Sequence, residues 1–113
     1  IMYRYGCYNY EMMRACRLVV DTGIHYYGWN FKKCFDFMRK YTSFSDNEIE
    51  VEIYRYSTYA GQALSYKIGE LKFQELRDYF LKKKKGTLKN FHKLVLENGA
   101  CSLDLLEKLV KNY

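Results

Sequence analysis

Apolar and polar positions recur with helical period along most of this chain. From Met13 onward, Met13, Cys16, Val20, Ile24 and Tyr27 fall at spacings of 3 or 4, the pattern of a helix face packed against protein. Arg14, Arg17, Asp21 and His25 fall at steps of 3, 4 and 4 on a second stripe of the same helix. The pattern predicts a helix over about Tyr10 to His25, capped by Asn9, after a tyrosine-rich lead-in over residues 1–9. Gly28-Trp29-Asn30 turns the chain, and Asn30 caps an amphipathic helix over residues 31–41 whose stripe is Phe31, Cys34, Phe35, Met38 and Tyr41.

Ser45 with Glu48 three residues on satisfies the capping-box pattern and opens a helix to about Tyr56, its acidic first turn matching the positive helix end. Ser57 to Gly61 interrupts the pattern. A long helix follows from Gln62 to about Lys84. It carries Leu64, Ile68, Leu71 and Phe80 toward the core and Gln62, Tyr66 and Glu70 on another face, and Gly86 ends it. A short helix runs from about Leu88 to Glu97 with Asn98-Gly99 as its stop, and Ser102 caps a last one to about Asn112. Nothing repeats internally and no alternating run is long enough for a strand. The expected fold is all-α, an irregular, orthogonal array of about five to six helices. Residues 1–113 form a single helical domain or a fragment of a larger one.

Composition narrows the function classes. Aromatic residues make up 19% of the chain, with 13 Tyr, more amphipathic ring than a lone core of this size covers with every hydroxyl satisfied. Some of those rings are therefore expected to face a partner surface. The net charge of +6 is modest. Its densest run, Lys82 to Lys85, reads as a solvated helix end, and nucleic-acid contact there is disfavoured because only Tyr79 and Phe80 accompany it.

Cys7, Cys16, Cys34 and Cys101 form no CxxC pair and show no metal-ligand spacing. Two disulfides remain possible by count. The placement of Cys16 and Cys34 on apolar stripes favours buried thiols and a reducing intracellular compartment. No apolar run reaches the roughly 18 residues of a membrane span, and no signal-peptide pattern opens the chain. A start at Ile1 rather than Met suggests a piece of something longer or a processed product.

The polar stripe is the first candidate for chemistry. Asp21, one turn before His25, could orient the imidazole or pair with Arg17 one turn back. Arginine and aspartate at this spacing more often form a structural ion-pair network.

Arg14-Ala15, Arg17 through His25 (RLVVDTGIH) and Gly28-Trp29, followed by Arg55-Tyr56 and Gly61 through Gly69 (GQALSYKIG), resemble the C-terminal part of the domain of unknown function 885 family. The likeness runs from about Tyr3 to the end; one departure is Ala60, where the family usually has proline. That family resembles zinc metallopeptidases of the gluzincin type, built almost wholly from helices. The resemblance implies that this chain is the C-terminal portion of a larger zincin-like fold.

A gluzincin holds zinc with two histidines one turn apart on a helix and glutamates nearby. This chain has only His25 and His92 and no HExxH motif. Hence no metal ligand and no cofactor is expected within it; zinc is implied for the longer family protein, with ligands from a preceding part or a partner chain.

By resemblance, His25, Tyr56 and Tyr66 are the candidate catalytic residues, positioned to stabilise charge on a peptide carbonyl. Arg55 and Gln62 are the candidates for holding substrate, with Asp21, Arg14 and Arg17 as supporting residues. The chain alone is expected to be inactive, and that reading requires His25, Tyr56 and Tyr66 to face one concavity. The alternative is a non-enzymatic structural or interaction protein whose basic, tyrosine-rich surface contacts a larger assembly.

Overall fold

A computed structural model describes residues 2–83 and 86–113. Every regular element among them is a helix: α1 (Met2–His25), α2 (Phe31–Tyr41), α3 (Asp46–Thr58), α4 (Leu64–Lys83), α5 (Leu88–Glu97) and α6 (Leu103–Asn112). The chain is all-α, as its periodicity predicts. It divides into two compact units, the first running up to Lys67 and the second from Ile68 onward.

In the first unit α1, α2 and α3 pack on one another. Their shared core includes Val20, Cys34, Met38, Ile49 and Ile53, each at most 1% exposed. Burying side chains of this size contributes about 1.5–3 kcal/mol each. Cys16 and Cys34 are buried free thiols, as their stripes predict. Tyr27 and Tyr41 do not follow their stripes inward: they are 68% and 44% exposed, Tyr27 because α1 has already ended.

The α1–α2 turn is set by two glycines. Gly28 adopts φ +64, and a Cβ on Gly23 would lie 2.6 Å from the Trp29 ring, so only glycine lets that ring close over the helix end. Asn30 then caps α2 by accepting from the Lys33 N–H at 2.9 Å.

Three boundaries differ from the sequence reading, and one is the start of α4, at Leu64 rather than Gln62. α1 begins at Met2, eight residues before Tyr10, and Asn9 lies inside it rather than at its cap. The Asn9 Oδ1 accepts from the Ser43 backbone N–H at 3.0 Å, tying the helix to the α2–α3 connection. α3 opens on the expected capping box at Ser45 and Glu48 but runs two residues past Tyr56, to Thr58. There the Ser57 and Thr58 hydroxyls donate back to the Ile53 and Tyr54 carbonyls.

The second unit has its own core of Leu76, Phe80, Phe91, Leu106 and Val110. Ile68 and Leu71, expected inward, are 47% and 50% exposed; Leu76 takes the buried position instead. Gly86 sits against the Phe80 ring with no room for a Cβ. Thr87 and Ser102 cap α5 and α6, and Gly99 at φ +58 closes the turn after α5. Of the lysine run, Lys82 and Lys83 close α4, whereas Lys84 and Lys85 lie outside the described residues.

Candidate functional site

The polar residues of the first unit converge where α1, α3 and the start of α4 meet. Arg17, 6% exposed, donates from Nε and Nη2 to the Glu52 carboxylate at 3.2 and 2.9 Å, and from Nε to the Tyr56 hydroxyl at 3.2 Å. Tyr56, 1% exposed, donates its O–H to the same carboxylate at 2.5 Å. Burial, and then the bond to Glu52, push the Tyr56 phenol well above its ordinary range. Burial also works against the Glu52 charge. The bonds from Tyr56 and Arg17, with the charges of Arg17 and Arg55, outweigh it and hold the carboxyl below its usual value.

A second layer lies toward solvent. Arg55 donates from Nη1 to Glu52 at 3.5 Å and from Nη2 to both the Gln62 side-chain carbonyl and the Tyr66 hydroxyl, at 3.1 and 2.9 Å. Gln62 closes the triangle by donating from Nε2 to the same hydroxyl at 3.2 Å. The Tyr66 oxygen thus accepts two N–H groups, which leaves its own hydrogen for an outside acceptor. Tyr66 is 41% exposed, with the Arg17 guanidinium 4.6 Å from its ring centroid. The bonds from Gln62 and Arg55, then the charges of Arg55 and Arg17, lower its phenol from the ordinary value.

The remaining sequence-predicted residues take other partners. Asp21, 2% exposed, neither orients His25 nor pairs with Arg17: both its carboxylate oxygens accept from the Gly61 backbone N–H at 3.1 Å. This locks the glycine at φ +80 that carries the chain from α3 into α4, one residue before Gln62. The His25 Nε2 lies 2.8 Å from the Tyr56 carbonyl oxygen. A carbonyl only accepts, so Nε2 carries the proton and Nδ1 is the other ring nitrogen available for an outside group. Arg14 joins Glu11 at 2.6 Å rather than the Arg17 network, and Glu11 also takes Lys67 at 2.9 Å.

The structure therefore brings together Arg17, Arg55, Tyr56, Gln62 and Tyr66, ties in Asp21 and His25 through backbone, and places Arg14 in a different pair. Glu52, at the centre of the network, is the residue the sequence reading missed. The signal for it is its place three residues before Arg55 and four before Tyr56, on one helical face. Among the described residues no group of three or more His, Cys, Asp or Glu stands close enough to hold a metal ion. The donor set of the described residues does not fit a zinc site. No described helix is long and apolar enough to cross a membrane.

A family model described as "Bacterial protein of unknown function (DUF885)" matches residues 2–110. No curated protein matches the chain. A crystal structure described as that of "the putative lipoprotein from Colwellia psychrerythraea" is similar, with 38% identity, a TM-score of 0.87 and coverage of 92% of this chain. The match takes up 18% of that protein, so this chain spans less than a fifth of the neighbour's length.

Proposed function

The chain belongs to the DUF885 family, and from that premise we propose that it forms one wall of the cleft of a metallopeptidase-like protein. The zinc ligands of that protein come from outside this chain, which alone hydrolyses nothing. In this reading Tyr66 donates its O–H to the carbonyl oxygen of a peptide bond as negative charge builds there; a donor about 3 Å from that oxygen is the geometry such stabilisation needs. The observation that carries the reading is the Tyr66 hydroxyl, whose oxygen accepts from Arg55 and Gln62 while its hydrogen stays unspent.

The roles of the other candidates follow from their partners. Tyr56, 1% exposed and with its hydroxyl committed to Glu52 and Arg17, does not face the concavity expected of it; it holds the arrangement from below, and the reading rests on Tyr66 and His25. Arg55 donates to Tyr66, Gln62 and Glu52, and Gln62 donates to Tyr66, which suits the pair to aiming the phenol more than to gripping a substrate carboxylate. His25 offers Nδ1, its Nε2 being held by the Tyr56 carbonyl. Asp21 and Arg17 support the site through Gly61 and Glu52; Arg14, paired with Glu11, stands apart from it.

The test is Tyr66→Phe in the longer protein that carries this chain. Turnover of a peptide substrate should fall about 100-fold with KM little changed, the loss expected for one such donor. Unaltered turnover removes Tyr66 from the mechanism. The rival reading, an interaction protein without activity, draws on the first turns of α1, where Met2, Tyr3 and Tyr8 are 84%, 85% and 71% exposed. A longer protein that cleaves no peptide but loses a binding partner on Tyr3→Ser and Tyr8→Ser replacement would favour it.

A further inference from the structure

Two guanidiniums face the Tyr66 phenol, and both favour its anion. Arg17 lies 4.6 Å from the ring centroid and Arg55 5.7 Å, and Arg55 also bonds the oxygen directly. A phenolate has no hydrogen to donate, so a phenol ionised at neutral pH could not serve an anionic acceptor.

The charges around the site are few. Asp21 of α1 is spent on the Gly61 N–H, and Glu11 of α1 takes Arg14 and Lys67. Tyr56 of α3 is neutral in its buried bond to Glu52. Glu52 is the carboxylate bonded to both guanidiniums, at 2.9 Å from Arg17 and 3.5 Å from Arg55, and its side chain is 20% exposed.

We propose that Glu52 is a positioning residue of this site: it holds Arg17 and Arg55 around Tyr66 and supplies a counter-charge that limits how far the two guanidiniums favour the phenolate. The proposal rests on the reading of Tyr66 as donor. It also gives the half-buried carboxylate a role: it is the acceptor that both guanidiniums share beside the phenol.

The test is a pH titration of tyrosinate absorbance in the 113-residue chain. Subtracting the curve of the matching Tyr66→Phe protein isolates Tyr66 from the other tyrosines. Glu52→Gln keeps an acceptor oxygen and removes the charge, so the Tyr66 midpoint should fall by about half a unit to one unit. Glu52→Asp keeps the charge and should leave the midpoint within about 0.3 units of the parent. An unmoved or raised midpoint in Glu52→Gln overturns the proposal.

If Glu52→Gln loses its helical circular dichroism, Glu52→Asp decides alone, and a fall of half a unit or more in that variant overturns the proposal. The two claims fail separately. A titration that behaves as expected while Tyr66→Phe leaves turnover intact refutes the donor reading and upholds the charge balance. An unmoved titration refutes the charge balance alone.

Discussion

The two units of this chain use charge in opposite ways. In the first, Arg17 and Asp21 are buried, and Glu52 and Tyr56 complete a network whose atoms all find partners. In the second, no charged residue among the described ones is fully buried: the core is apolar, and the ion pairs of Lys72 and Lys111 with Glu107 stand half-buried at its edge. Charges taken out of water cost several kcal/mol each unless closely paired. Surface pairs cost and contribute little. A small helical unit can be built around an apolar core without a buried arginine, as the second unit is. The interior charge of the first unit is therefore better understood as what holds Arg55, Gln62 and Tyr66 in place than as what holds the helices together.

The largest effect should come from breaking that network on one side. Arg17→Met leaves the Glu52 carboxylate short of its main partner, and unfolding in urea, followed by emission of Trp29, should show a loss of about 3–5 kcal/mol. A loss under about 1 kcal/mol would mean that the network is solvated and the contrast between the units false. Leu76→Ala in the second unit should cost about 2–5 kcal/mol through the cavity it leaves, with no change in the Tyr66 titration.

Gly23→Ala comes next, at about 1–3 kcal/mol, because the added methyl must displace the Trp29 ring. It too is read by urea unfolding, and a neutral result would show that the ring yields freely.

The gentlest probe is pH. The Glu107 carboxyl is held down to about 2 by its bonds to Lys111 and Lys72, so its contribution is complete above the ordinary 4.5 and is lost as pH falls from there through about 2. Glu52, also lowered, adds acid sensitivity to the first unit. The buried Tyr56 phenol is raised, so the stability it lends is complete below the ordinary 10 and declines as pH rises beyond it. Amide signals of Val20 and Val110, followed by NMR in urea, should show both units weakening in acid, Val110 weakening in alkali through the raised Lys72, and Val20 weakening in alkali through Tyr56. Loss of the Val20 alkaline limb in Tyr56→Phe assigns it; its persistence there would assign it elsewhere.

Much of the helical frame was legible because its signals are local. Ser45 with Glu48, Asn30, Ser102 and the Asn98-Gly99 stop each act within a turn of themselves, and α2, α5 and α6 stand where those signals place them. The start of α1 was not legible: tyrosines fall on every side of its first turns, so no stripe marks it. Asn9, a good cap by type, serves as a tertiary acceptor for Ser43 instead.

The same division runs through the site. Arg55, Gln62 and Tyr66 lie seven and four residues apart and meet as their spacing allows. The partners of Arg17 and Asp21 lie 35 and 40 positions away, where no periodicity reaches. Asp21 turned from the neighbouring His25 to Gly61 because the backbone N–H held at φ +80 between the two helices has no helical carbonyl to take and points at the buried carboxylate.

The ionisation of Tyr66 itself tests the central claim most directly, isolated as the difference between the 113-residue chain and its Tyr66→Phe counterpart. A phenol aimed and acidified by Arg55, Gln62 and Arg17 titrates below the ordinary 10. A midpoint at or above 10 would mean that the triangle does not act on the hydroxyl, and that the first unit's buried charge serves some other end.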